Sequence, residues 1–348
     1  MPDIMIGIKV EKHNAERVRK YLTKHTLLDN NHKVIGKNSF IYFPVMNMDV
    51  NTSRFLKKTF RADIINIVFE KQKNNVNYQE LLKKELGDNY ETAPRGFEII
   101  GNIAIIDADN KISKAIAKTI MNVNKNISTV VKKAGAVKGR YRKREYIYIA
   151  GKKTYSAEYK ENGASLRFDI RDTFFSTRLS FERSRIAALS KKSENVMVMF
   201  AGVGPFAIEL AIKNKDARIV AVEINRKAVR YMKENIRLNG IKNIKAIAGN
   251  VKKLPQEYEN FADRIIMPLP KDSISFLDDI IRIGKKHCVV HYYAFVEIEN
   301  GVEKLEKTLR QFFSDKNVKF NVIMWRTVRP YSAKIMEIVI DFEINKKI

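Results

Sequence analysis

Residues 200–206 read Phe200-Ala201-Gly202-Val203-Gly204-Pro205-Phe206 and follow directly on the apolar run VMVM. Two glycines at the carboxyl end of a strand let the chain turn tightly and approach a ligand without an obstructing Cβ. A helix opening near Phe206 would add unpaired N–H groups aimed at a carboxylate or phosphate. Glycine pairs are common in tight turns, so the motif alone is weak. Glu223 strengthens it, because it ends the next apolar run 19 residues beyond Gly204. There a carboxylate can accept from both hydroxyls of an adenosine ribose. Ile224 beside it, and Asn250 and Val251 after a third run, stand where ribose and adenine contacts fall. The set predicts a cofactor that carries adenosine. Ala207, three residues after Gly204, leaves a nicotinamide dinucleotide open on spacing alone.

A second cluster, TRLSFERSRI, places Arg178 and Glu182 four residues apart, with Arg183 next to them. On a helix surface such a pair is worth only ~0.3–0.5 kcal/mol. In a cleft, a carboxylate can instead take the proton of a ring N–H while a guanidinium steadies the charge left on a carbonyl. The run KKAGAVKGRYRKR, residues 132–144, holds seven basic residues and no acid. Interleaved Gly135, Gly139 and Tyr141 suggest a loop that approaches a phosphate backbone through Arg140, Arg142 and Arg144, rather than a merely solvated face.

These residues need elements to position them. From Arg178 onward strands at 195–200, 218–223, 244–248, 264–267 and 288–293 alternate with helices opening near Phe206, Arg226, Ser273 and Gly301, the pattern of a parallel doubly wound sheet. The last apolar runs, 320–328 and 333–342, are separated by too few residues for a crossover helix and predict an antiparallel hairpin. A parallel sheet closed in this way is the class I methyltransferase arrangement, and it selects S-adenosylmethionine over a nicotinamide. Upstream, residues 1–70 read as a small α/β unit with a helix at 15–24 capped by Asn14 and a strand at 40–45. Residues 71–89 read as a linker. A middle α+β unit, 90–177, opens with a single buried strand at 98–107, and the methyltransferase domain occupies 178–348.

Bulk properties agree with this division. A chain of 348 residues is long for one domain, and 45% hydrophobic residues suffice for packed cores. A net charge of +26 points to a polyanionic partner, although a lysine-rich surface is the plainer reading. The single cysteine, Cys288, excludes a disulfide framework, and the five histidines show no metal-ligand spacing. No apolar run reaches the ~18 residues that span a bilayer, so a cytoplasmic protein is expected.

With FAGVGPF, AVEIN, HYY and TRLSFERSRI together, the sequence resembles the archaeal and eukaryotic tRNA guanosine-37 N1-methyltransferases. Its opening, GIKVEKHNAERVRKYL…LLD…YFPV, resembles the small N-terminal domain of the archaeal members. The resemblance implies a monomeric enzyme that uses S-adenosylmethionine without a metal. Its tRNA partner would be held at the elbow by the N-terminal domain and at the anticodon loop by the catalytic part. It implies a base flipped from the loop, at a cost of a few kcal/mol. It further implies Arg142 as the group that stabilises charge on the purine carbonyl and Glu182 as general base. Arg140, Arg144, Arg178, Arg183 and Lys271 would contact the RNA.

Two positions depart from the family pattern. Pro268, in MPLPK, stands where N1-methylating members carry Asn and offers no side-chain acceptor. Phe174 replaces a tyrosine and keeps only its aromatic face. Proline with HYYAF is similar to an archaeal branch that also methylates carbon 7 of 4-demethylwyosine, the tricycle made from that guanosine in tRNA-Phe. Carbon attack needs no prior removal of an N–H proton. The expected activity is therefore methylation of guanosine 37 at N1, or also or instead of the tricycle at carbon 7. An enzyme acting on ribosomal RNA and a non-catalytic RNA-binding protein with a vestigial cofactor fold are the rival expectations.

Overall fold

The computed structural model describes residues 3–29, 31–46, 48–70, 78–94, 96–135 and 144–346. The chain divides into two compact units, Met1–Leu81 and Leu82–Ile348.

The first unit contains β1 (Asp3–Glu11), α1 (Lys12–Lys24), β2 (Ile35–Lys37), β3 (Phe40–Pro44), α2 (Val50–Phe60) and β4 (Asp63–Phe69). Its antiparallel sheet runs β2-β3-β1-β4. Val18 and Leu22 of α1 and Leu56 and Phe60 of α2 are buried with Ile8 and Val10 of β1. Asn14 does not cap α1. The helix begins earlier, with Glu11 at the N-cap, and the Asn14 amide donates instead to Phe60 O at 3.3 Å.

The expected linker contains a helix, α3 (Tyr78–Leu86), which buries Leu82 and Leu86; residues 71–77 lie outside the described ones. Next come β5 (Glu98–Ile100), β6 (Ile103–Ile106), α4 (Asn110–Val123), β7 (Thr129–Lys133) and β8 (Tyr146–Gly151), forming a mixed sheet in that strand order. The single strand expected at 98–107 is thus two antiparallel strands. Gly101 makes the turn between them at φ +57, where a Cβ would sit 2.0 Å from Glu158 O.

The hairpin β9 (Ser156–Glu161) and β10 (Ala164–Asp169) precedes α5 (Ser180–Leu189). The chain then continues through β11 (Asn195–Met199), α6 (Pro205–Lys213), β12 (Arg218–Glu223), α7 (Arg226–Leu238), β13 (Ile244–Ala248), β14 (Ala262–Met267), α8 (Leu277–Ile283), β15 (Gly284–Glu297), α9 (Gly301–Asp315), β16 (Val318–Pro330) and β17 (Ile335–Lys346). The seven-stranded sheet has the order β13-β12-β11-β14-β15-β17-β16, in which β11 to β15 are parallel and β17 is antiparallel to both its neighbours. Sequence explains why the last strand inserts. β17 (IMEIVIDFEINK) is mostly buried, as a central strand must be, whereas β16 is largely exposed and forms the edge.

No separate compact unit ends at 177. Leu166 and Phe168 of β10 share one core with Val203 and Ile208 at the start of α6. Asn235 of α7 and Asn239, which caps its C-terminus, accept from the Arg167 and Ser165 backbone N–H groups at 2.7 and 2.8 Å. The β9–β10 hairpin is therefore part of the wall that supports the glycine turn after β11.

Candidate active site

After β11 the chain turns through Phe200, Gly202 and Gly204, at φ +54, +58 and +91, into α6. Phe200 carries a side chain in left-handed backbone, which costs ~1–3 kcal/mol, and its ring meets Phe276 edge-on at 4.7 Å. A Cβ on Gly204 would lie 2.8 Å from Met232 Cγ and 3.3 Å from Ile208 Cδ1, so the turn is pressed against α7. At Gly202 a Cβ would meet nothing nearer than Phe174 O at 4.0 Å. Only open cleft lies there.

The Glu223 carboxylate is pinned across this turn. Oε2 accepts from the Gly202 N–H at 3.0 Å and Oε1 from the Asn225 N–H at 2.8 Å. A carboxylate offers about four acceptor positions, so two remain for vicinal hydroxyls. Asn225 in turn caps α7 through Lys227 N at 3.1 Å and donates to Asp172 O at 2.8 Å. Asn250 accepts from Lys252 N at 3.1 Å, which orders the segment after β13.

A cleft of about 1010 Å³ opens here, roughly the upper range of small-molecule sites. Phe200, Gly202, Glu223, Ile224, Asn250 and Val251 line it. So do Phe174, Arg178, Pro268 and Lys271, joined by Arg144 from the middle segment and Tyr331 from the terminal hairpin. The remaining expected cofactor residues shape the turn from behind it. Ala201, Val203 and Phe206 are buried, Val203 O accepts from Asn235 Nδ2 at 3.1 Å, and Pro205 opens α6. Arg140 and Arg142 lie outside the described residues. Tyr146, another wall residue, has its phenol raised above the ordinary value by burial, which the nearby Arg144 charge opposes.

This donor set fits an adenosine cofactor with an activated methyl group. The glycine turn leaves backbone-wide space, and the Glu223 carboxylate faces it with acceptor capacity to spare. Among the described residues no group of His, Cys, Asp or Glu could hold a metal ion.

Two expected residues stand elsewhere. Arg183, assigned to the RNA, is 1% exposed. Its guanidinium donates to Glu161 at 2.6 Å, Glu209 at 3.2 Å and Ser176 O at 3.1 Å, tying α5 to β9 and α6. A cation so enclosed has nothing to offer a phosphate, and the expectation is corrected. Glu182 is 2% exposed and is not in the cleft wall. Its oxygens accept from Arg326 Nη1 at 2.6 Å, Arg185 Nε at 3.0 Å and the Tyr293 hydroxyl at 3.3 Å. The i,i+4 spacing does not pair it with Arg178, because Arg178 turns to the cleft and Glu182 to the sheet.

Glu182 begins a buried polar chain that sequence reasoning missed. Arg185 binds Asp341 at 2.6 Å, Asp341 binds His291 Nδ1 at 2.7 Å, His291 Nε2 meets Arg264 at 2.7 Å, and Arg264 binds Glu194 at 2.8 and 2.9 Å. Burial opposes charge on Arg185, but Asp341 and Glu182 outweigh it and raise its pKa. Burial pushes His291 below its ordinary value despite Asp341, so Nδ1–H donates to Asp341 while Nε2 accepts from Arg264. The HYY triplet supplies His291 and Tyr293 to this chain, and only contacts between distant segments disclose it. Arg329 and Tyr331 were also missed, although Arg326 and Arg329, three residues apart just before Pro330, were a visible signal.

Comparison with known proteins bears on the whole chain. Residues 157–323 match the TRM5/TYW2 methyltransferase domain, 78–154 the TYW2 N-terminal domain, and 7–51 the tRNA methyltransferase 5 N-terminal domain. The chain is 34% identical to the tRNA (guanine(37)-N(1))-methyltransferase Trm5b of Pyrococcus abyssi, over 98% of this chain and 99% of that protein. The crystal structure of that Trm5b superposes with a TM-score of 0.72 at 32% identity, covering 98% and 99% of the two chains. The tRNA 4-demethylwyosine(37)-methyltransferase Taw21 of Saccharolobus solfataricus is 31% identical over 76% of this chain and 99% of its own. A structure of aTrm5 in complex with tRNALeu gives a TM-score of 0.67 at 27% identity, covering 98% and 100%. With a glycine turn, a carboxylate pinned across it and similarity over the length of the chain, the chain belongs to the TRM5/TYW2 methyltransferase family.

Proposed function

We propose that this protein transfers the methyl group of S-adenosylmethionine to the base at position 37 of tRNA, at N1 of guanosine. The observation that carries the proposal is one cleft lined by two chemically different sets of residues. The Gly202 turn and pinned Glu223 suit an adenosine, and the Arg178, Lys271 and Phe174 wall suits a stacked base with its phosphates. When bound, the cofactor supplies an electrophilic methyl on a sulfonium. Glu223 would hold its ribose, Phe200 and Val251 would flank its adenine side, and Phe174 would stack on the extruded purine. Arg142 is the proposed partner of the purine carbonyl. The anticodon loop would meet this unit and the elbow the N-terminal one, with the protein acting as a cytoplasmic monomer.

Glu182 remains the proposed base for the N1 proton. In the folded chain Arg326, Arg185 and Tyr293 take three of its roughly four acceptor positions, leaving one on Oε1, and at 2% exposed it must be uncovered before it can take a proton from the base. Pro268 in the cleft wall favours a second reading, methylation of carbon 7 of 4-demethylwyosine. A carbon nucleophile has no N–H to lose before attack, so that step needs no side-chain acceptor at 268; the C7–H proton leaves only once the methyl is on carbon, to Glu182 or to water.

Mass spectrometry of nucleosides decides between them. tRNA carrying guanosine 37 and tRNA-Phe carrying the tricycle are each incubated with protein and cofactor. We expect a methyl on N1 of the guanosine. Uptake by the tricycle alone would move the assignment to carbon 7, and uptake by neither would remove the methyltransferase reading.

A further inference from the structure

β16 is the outer edge of the seven-stranded sheet, and its surface is unusual. Ile323, Met324 and Trp325 are exposed there, and Phe181 of α5 is 64% exposed. The Arg326 guanidinium lies 4.4 Å over the Phe181 ring, with 34% of its side chain exposed. A ring covered on one face by a guanidinium and still so exposed has its other face open. Glu182 takes one of the five N–H donors that a guanidinium carries.

We propose that Phe181 and Arg326 form a stacking and phosphate-binding site for the single-stranded nucleotide next to the target base. This rests on the RNA-methylating reading of the cleft. Three observations select RNA as occupant. The edge is continuous with the cleft: Arg329 and Tyr331 line the cleft, and Arg326 stands three residues back along the same strand, ~10 Å away at ~3.3 Å per residue. The charge is complementary. Arg178, Arg185, Arg326 and Arg329 outnumber the carboxylates that face them, and those carboxylates are engaged: Glu182 by Arg326 and Arg185, Asp341 by Arg185 and His291, and Glu337 by Arg329 at 2.5 Å. The edge is also a poor template for a protein strand, because bulges at Val322/Met324 and Thr327/Arg329 interrupt its register. An aromatic ring with an arginine beside it is the sequence-tolerant way to hold one unpaired base.

Trp325 is the only tryptophan in the chain, but as the neighbour of Arg326 in unbroken register it projects from the opposite face of β16, so the reporter is placed on the RNA. The test uses the full-length protein, an RNA hairpin with a seven-nucleotide loop carrying the target guanosine and 2-aminopurine next to it, and a blunt RNA duplex of the same stem with 2-aminopurine in the stem. The hairpin's 2-aminopurine emission is expected to be quenched at saturation by stacking on Phe181, and that of the duplex is expected to stay unchanged. Phe181→Ala should weaken hairpin binding by about 5- to 100-fold, as loss of one stacked base implies, whereas Phe181→Tyr should keep it. Arg326→Gln should lower the log–log salt slope by about one. Cofactor affinity, which reports the fold of both variants, should stay at the wild-type value. Unchanged 2-aminopurine emission with saturating protein, or wild-type hairpin affinity in Phe181→Ala, would overturn the proposal. A Trp325 emission change that grows with protein concentration without RNA would replace it with self-association through β16. If the hairpin behaves as expected but no tRNA is methylated, the site stands and the catalytic reading falls. Methylation with an unresponsive edge is the opposite result.

Discussion

Arg326 Nη1 lies 2.6 Å from Glu182 Oε1 across 144 residues of sequence, joining the edge strand of the sheet to the first turns of α5. Arg185 and Tyr293 close the same carboxylate from the other side. The residue with the strongest chemical signal in its segment is thus also a structural tie, and its substitution separates the two roles. In Glu182→Gln, N1 methylation of guanosine 37 should fall by about 10²–10⁴-fold with cofactor affinity unchanged. Stability should fall by roughly 1–3 kcal/mol, because the half-buried Arg326 loses its carboxylate and Arg185 is left with Asp341 alone. Single-turnover kinetics and a denaturant titration measure both. Full turnover in a destabilised protein would leave Glu182 as a tie alone.

Gly204 tests the cofactor turn. Its φ of +91 and the 2.8 Å approach to Met232 Cγ leave no room for a branched side chain. Gly204→Val should abolish S-adenosylmethionine binding by calorimetry and lower the melting temperature by several degrees. Binding at wild-type affinity would put the cofactor elsewhere.

The Arg183 cluster predicts an alkaline weakness. Burial, then the bond and charge of Glu161, raise Glu209 from 4.5 to about 8. Between these values the folded chain holds a proton that the unfolded chain has lost, so stability falls as pH rises. The contribution is fully present below about pH 4.5 and lost as pH passes about 8. Over that window the loss is on the order of a few kcal/mol. Glu209→Gln should flatten it, and melting curves from pH 5 to about 9 read the difference. An identical slope in the variant would exclude Glu209 as the group responsible.

The basic run gives a fourth test. Neutralising Arg140, Arg142 and Arg144 together should weaken tRNA binding and reduce the salt slope by about one for each phosphate no longer matched by a cation. A slope equal to that of the wild type would make the run a solvated surface.

The legible part of this protein was local. A glycine pair after an apolar strand, an acid at the end of the next strand and a hairpin too short for a crossover each depend on a few consecutive residues, so the class I sheet and the Gly202–Glu223 site could be read directly. The single strand expected at 98–107 failed because Gly101 gains its turn from a backbone contact with Glu158, far along the chain. The core runs on across the boundary expected at 177, because apolar residues of β10 pack against α6.

Tertiary structure alone decided the roles of Glu182, Arg183 and Arg185. They are neighbours on one helix and identical in kind to surface charges. Which of them meets solvent, sheet or hairpin depends on what covers each face of α5, and their partners lie from 3 to 156 residues away. Burial of charge is tolerable only where such partners converge, and convergence of that kind is a property of the packed chain.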